Sequence, residues 1–201
     1  MGLKVSNQEV EEERDEEGKG LDYAKRAQWV RAGVLGASDG LVSTAALMMG
    51  VGGVERDDQS MILSGVAGLV AGACSMAIGE FVSVSSQYDI ELAQLKREGN
   101  MDQKHKLPNP YSAAFASALA FSLGAGVPLL ASASVSSHRI RMAVLAGVVT
   151  LTLIVFGALS GCLGKVSRVK FICRILIGGW MAMAVTFGLT KLVNDFGILL
   201  T

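Results

Sequence analysis

The sequence predicts an all-α membrane protein with five transmembrane helices, and three observations lead there. Of 201 residues, 51% are hydrophobic and only 18% charged, against about 25% charged in an ordinary soluble domain. The deficit is local: charges crowd into the first 31 residues and into short connectors, leaving five long stretches nearly free of them. Each stretch has about 19 to 25 residues, enough to cross ~30 Å of hydrocarbon at ~1.5 Å per helical residue. The formal net charge of zero averages an acidic head against basic connectors and carries no information about partners.

Residues 1–28 are polar and charge-dense, and read as a cytosolic, largely disordered acidic segment. They contain no apolar run of the signal-peptide kind, so the first span is expected to act as an uncleaved anchor. From Leu21 to Arg31 a short surface helix is possible, with Leu21, Tyr23, Ala24 and Trp29 against the membrane and Lys25, Arg26 and Arg31 toward headgroups. Residues 29–201 form the five-helix domain. Its first span covers about residues 30–54, with Asp39 as the only deep charge, and the connector Glu55 to Ser60 follows. The second span covers about 61–85 and holds one charge, Glu80. A polar connector over 87–109 ends in Pro108-Asn109-Pro110. The third span, about 111–134, contains Pro128, where a kink is expected. His138, Arg139 and Arg141 sit in a tight connector before the fourth span, about 142–163. The basic stretch from Lys165 to Arg174 leads to the fifth, about 175–193.

Five crossings put the termini on opposite sides. Of the 18 Lys and Arg residues, the N-terminal segment and the connectors after the second and fourth spans hold all but Arg56, Arg139, Arg141 and Lys191. The positive-inside rule therefore predicts a cytosolic N-terminus and a lumenal or external C-terminus.

An ionisable group in mid-span costs about 2.5–3.5 kcal/mol on insertion scales. Asp39 and Glu80 are retained despite that cost, which marks them as candidates for a pathway; the plainer alternative is an interhelical hydrogen bond from a protonated acid, or snorkelling. Counted inward from the same membrane edge, Asp39 and Met76 are each nine residues deep, ~13 Å at ~1.5 Å per residue. Glu80 follows Met76 by one turn on the same face. Carboxylates with a thioether suit a borderline divalent ion such as Fe²⁺ or Mn²⁺, although a methionine on an apolar face is also ordinary packing. Gly33, Gly36 and Gly40 around Asp39, and Gly65, Gly68, Gly72 and Gly79 on the second span, mark close helix contacts. Cys74, Cys162 and Cys173 fall in or beside apolar segments without a CxxC, and read as buried small apolar residues rather than a disulfide or zinc framework. No nucleophile-and-base arrangement, phosphate loop or closed metal site is legible, so an enzyme is not expected. Met1-Gly2-Leu-Lys-Val-Ser6 fits the N-myristoylation pattern, which makes Gly2 a possible lipidation site or a coincidence.

Three segments resemble a known family. Arg31-Ala-Gly-Val-Leu-Gly-Ala-Ser-Asp-Gly-Leu-Val-Ser43 is similar to the first-span signature of the vacuolar iron transporter family. Ala71-Gly-Ala-Cys-Ser-Met-Ala-Ile-Gly-Glu-Phe-Val-Ser-Val-Ser-Ser-Gln87 is similar to its second. Asn109-Pro-Tyr-Ser-Ala-Ala with Gly124-Ala-Gly-Val-Pro128 resembles its third span. The match covers roughly residues 25–195 and looks most like the short plant nodulin-like branch. The resemblance implies transport of cytosolic Fe²⁺, and sometimes Mn²⁺, into the vacuole in exchange for protons. It further implies a homodimer in the vacuolar membrane whose interface path is lined by Asp39 and Met76. The implied partners are the divalent metal ion, protons, the lipid bilayer and a second copy, with no cofactor and no nucleic acid. A non-transporting dimeric adaptor or sensor that keeps the fold is the alternative. The chain departs from the family pattern in two places. Only about 22 residues stand between Gln87 and Asn109, with Asp89, Glu91, Glu98, Asp102 and His105 scattered there, where fuller members carry a glutamate-rich insertion. Gly68 stands where a glutamate is often found.

Overall fold

The computed structural model of the chain describes residues 33–55, 57–99, 104, 107–163 and 168–197. The N-terminal segment, with Gly2 and the stretch 21–31, lies outside the described residues. Those described form five helices long and apolar enough to cross a membrane, with no strand among them. In hydrocarbon every backbone N–H and C=O must bond within the chain, and a helix satisfies them inside one segment.

Helix α1 is Gly33–Val54, and its last turn closes with the Glu55 N–H on the Val51 carbonyl at 2.8 Å. Helix α2 is Asp58–Glu98. Asp57 caps it by accepting from the Ser60 N–H at 2.9 Å, and Gly99, at φ 68°, ends it with its N–H on the Leu95 carbonyl. That left-handed conformation is nearly free of strain only for glycine, which is why the helix stops there. Helix α3 is Pro110–Ala133. Asn109 accepts from the N–H groups of Tyr111 and Ser112, and Pro110 takes the first turn, where its missing N–H costs nothing. Pro128 lies buried inside α3. Helices α4, His138–Leu163, and α5, Arg168–Asp195, complete the bundle.

α1 is the central helix: its most apolar stretch is 44% buried, against 11% for α2 and α5. Leu41, Ala45 and Met48 of α1 form one core with Met61 of α2, Leu145, Val149 and Leu153 of α4, and Met183 of α5. The three α4 residues follow one another at i, i+4 and so share a face. α1 meets α3 backbone to backbone. A Cβ added to Gly40 would land on the Phe121 carbonyl, and one added to Gly124 would land on that of Ala37. Glycines at this crossing bring dispersion contacts and Cα–H···O bonds within reach, and these replace the hydrophobic drive in lipid. Phe81 of α2 and Tyr111 of α3 tie those two helices near the end of the bundle where α3 begins, with ring centroids 5.2 Å apart.

Three details differ from the reading of the sequence. First, the polar connector after the second span begins as a continuation of α2. At ~1.5 Å per residue its 41 residues reach ~60 Å, about twice the hydrocarbon thickness. Hydropathy falls at Gln87, but Ile90 to Glu98 are mostly strong helix formers and no breaker precedes Gly99. Second, α4 and α5 start earlier than their spans, taking in His138 to Arg141 and Arg168 to Arg174. Third, Cys74 and Cys173 are exposed, not buried. In a membrane the outer face of a bundle is as apolar as its core, so an apolar setting does not imply burial.

Candidate functional site

Asp39 sits two turns into α1 and is exposed. Its neighbours on α1 explain this orientation. Gly36 and Gly40 are pressed against α3, and Leu41, Thr44 and Ala45 face the core. The side that carries Asp39 also carries Leu35, one turn earlier and 63% exposed. The one deep carboxylate on this central helix is thus left uncovered by the other described residues. The Ser43 hydroxyl donates to the Asp39 backbone carbonyl at 2.6 Å.

Met76 and Glu80 are half-buried on α2. They lie on a row of i, i+4 positions between Gly72, which is packed against the Phe121 ring, and Val84, which is buried. The row therefore follows the side of α2 that faces the bundle. At Gly68, two turns before Met76, an added Cβ would come within 2.5 Å of Leu47 Cδ1. The Leu47 side chain occupies the space a longer residue at position 68 would need.

Past the membrane-spanning part of α2, Gln87 donates to Glu91 at 2.7 Å and Gln94 to Glu98 at 2.9 Å. These are single pairs along one helix. Among the described residues no three His, Cys, Asp or Glu side chains gather closely enough to hold a metal ion. Asp102 and His105 lie outside the described residues.

Reasoning from sequence missed Arg141, which it placed in a connector. Arg141 is 4% exposed. Its Nε donates to the Val135 carbonyl at 2.9 Å, and its guanidinium pairs with Asp58 at the start of α2. One side chain thus ties the first turn of α2 to the first turn of α4 and to the turn before it. The only trace in the sequence was an acidic Asp57-Asp58 pair on the same side of the membrane as Arg139 and Arg141.

Five spanning helices packed on a central α1 that bears an uncovered carboxylate define a polytopic α-helical membrane protein. The chain belongs to the VIT family, whose model matches residues 30–106 and 95–191. It is 64% identical over 196 residues to vacuolar iron transporter homolog 1 of Arabidopsis thaliana, covering 96% of this chain and 98% of that one. It is 60% identical to vacuolar iron transporter homolog 4 of the same plant over 194 residues, covering 96% and 98%. With the VIT-like transporter 1b of Glycine max it shares 54% identity over 183 residues, covering 87% of this chain and 80% of the other. The vacuole named for the Arabidopsis relatives, with five helices fit to cross a membrane, places the chain in the vacuolar membrane.

Proposed function

We propose that the chain carries cytosolic Fe²⁺, with Mn²⁺ as a second cargo, into the vacuole in exchange for lumenal protons. It does so as a homodimer with the N-terminus in the cytosol and the C-terminus in the lumen. The path holds Asp39, Met76 and Glu80. The observation that carries this reading is the exposure of Asp39 on a helix that is otherwise the most buried of the five.

A carboxylate in hydrocarbon costs about 2.5–3.5 kcal/mol at the helix centre, and such residues face a bundle interior or an aqueous cavity. Among the described residues neither surrounds Asp39. A second copy set against the same face would bring two carboxylates together and make a path between subunits. α2 leaves Val66, Val70, Ile78 and Val82 exposed, which adds apolar surface for such a contact.

The chemistry follows from the donors. Glu80 attracts a divalent ion near the mouth, and Asp39 binds it more strongly where the dielectric is low. The Met76 thioether favours Fe²⁺ over harder ions. A carboxylate that releases metal on one side can take up a proton there, which supplies the exchange. The relatives' names, which carry iron and the vacuole, support the cargo and the direction.

The test is Fe²⁺ uptake by liposomes that contain the purified chain, with an acidic interior. Uptake well above that of empty liposomes is the expected outcome. Uptake no greater than theirs, from protein that is folded and inserted, would overturn the transport reading.

A further inference from the structure

The end of the bundle away from Asp39 and Glu80 gathers two thioethers and an imidazole around one glycine. Gly52, buried near the end of α1, is thirteen residues beyond Asp39, ~20 Å along the helix. A Cβ built on Gly52 would stand 3.1 Å from Met61 Sδ, 3.1 Å from Met142 Sδ and 3.7 Å from His138 Cε1. The first turns of α2 and α4 bring these side chains together over the backbone that glycine leaves bare. Cε1 is flanked by both ring nitrogens, and one of them, Nδ1, is buried with no hydrogen-bond partner among the described residues. A buried polar atom without a partner calls for an explanation, and a ligand that binds there is one.

The donor types narrow the ligand. Two thioethers and an imidazole carry no negative charge. Thioether sulfur selects soft ions such as Cu(I), and imidazole accepts copper as well. Arg141 and Asp58, in the first turns of α4 and α2, are paired with each other. A doubly charged, hard ion would find no anionic ligand here and would keep its water. A univalent soft ion needs less compensation. The thioether arms are flexible enough to close on a shared ion by rotating terminal bonds.

We propose that Met61, Met142 and His138 form a binding site for a univalent soft metal ion, Cu(I) or its redox-inert counterpart Ag(I). The site stands on the geometry of this end of the bundle and does not depend on iron transport, so absence of Fe²⁺ uptake would leave it intact.

The probe is Ag⁺, titrated calorimetrically in chloride-free buffer into the full chain with Cys74, Cys162 and Cys173 replaced by serine. One tight Ag⁺ per chain is expected. The conservative pair Met61→Leu with Met142→Leu, and separately His138→Asn, should weaken binding about tenfold or more, with Mn²⁺ failing to compete. Unchanged Ag⁺ affinity in folded variants would reduce the three residues to packing and overturn the site. Equal competition by Mn²⁺ would overturn its selectivity for soft univalent ions. Should the variants not fold, X-ray absorption on Ag⁺ bound to the cysteine-free chain decides: mixed sulfur and nitrogen ligands support the site, and oxygen and nitrogen alone reject it.

Discussion

Asp39 is set apart by its depth: it lies two turns inside α1, and the described residues leave it exposed there. The substitution Asp39→Asn keeps size and hydrogen bonding and removes the charge that attracts a divalent ion. We expect near-complete loss of Fe²⁺ uptake with normal insertion, read in liposomes at matched protein content; uptake at the wild-type rate would remove Asp39 from the path. Met76→Leu keeps volume at small packing cost and removes only the sulfur. Fe²⁺ uptake should weaken more than Mn²⁺ uptake, since Mn²⁺ is the harder ion. Equal losses, measured side by side, would mean that Met76 only shapes the pore. Asp39 and Glu80 were legible as candidates because charge in mid-span is rare and costly. The environment of Arg141 was not, because a charge near a helix end is ordinary and its burial depends on where Asp58 and the Val135 carbonyl lie in space.

At the scale of the helices, the α1–α3 crossing is the contact least tolerant of change. Alanine in a helix is worth about 1 kcal/mol over glycine, but at Gly40 the added Cβ would meet the Phe121 carbonyl, which no side-chain rotation can move aside. Overpacking costs about 1–3 kcal/mol and sometimes more, so the loss wins. Gly40→Ala should lower the melting temperature in detergent. Gly147→Ala, with nothing within 4 Å of the new atom, should leave it unchanged or raise it, and equal behaviour of the two would refute the crossing.

The N-terminus of α2 responds to acid. The Ser60 N–H, then its hydroxyl, both bonded to the carboxylate, hold the Asp57 carboxyl below its ordinary range. A depressed value means that the ionised cap stabilises the fold above the ordinary aspartate pKa, about 3.9. That stabilisation is lost as pH falls through the lowered folded value. The difference in melting temperature between wild type and Asp57→Ala should therefore be constant from neutral pH to about 5 and shrink only in stronger acid. A difference that vanishes already at about pH 6 would contradict the cap. The full length of α2 was partly legible: helix formers run to Glu98 and Gly99 signals the stop, but hydropathy marks where the membrane ends, not where the helix does.

For the whole molecule, proton exchange predicts that Fe²⁺ loading follows the pH gradient. Collapsing the gradient across loaded liposomes with an ionophore should stop net accumulation. Loading indifferent to the gradient would leave a channel or uniporter in place of an exchanger.

The sequence by itself determined the five spanning segments, because inserting charge or an unbonded backbone into hydrocarbon is costly enough to write itself into composition. It also singled out the residues of the candidate path, since a carboxylate kept in such a segment is conspicuous. Only the tertiary structure decided which side of each helix is covered. It turned Asp39, Cys74 and Cys173 outward, buried Arg141, and gathered Met61, Met142 and His138 over Gly52. In water an amphipathic stripe tells inside from outside. In lipid both faces of a helix are apolar, so that information rests in close contacts between small residues, which become visible only once the helices are packed.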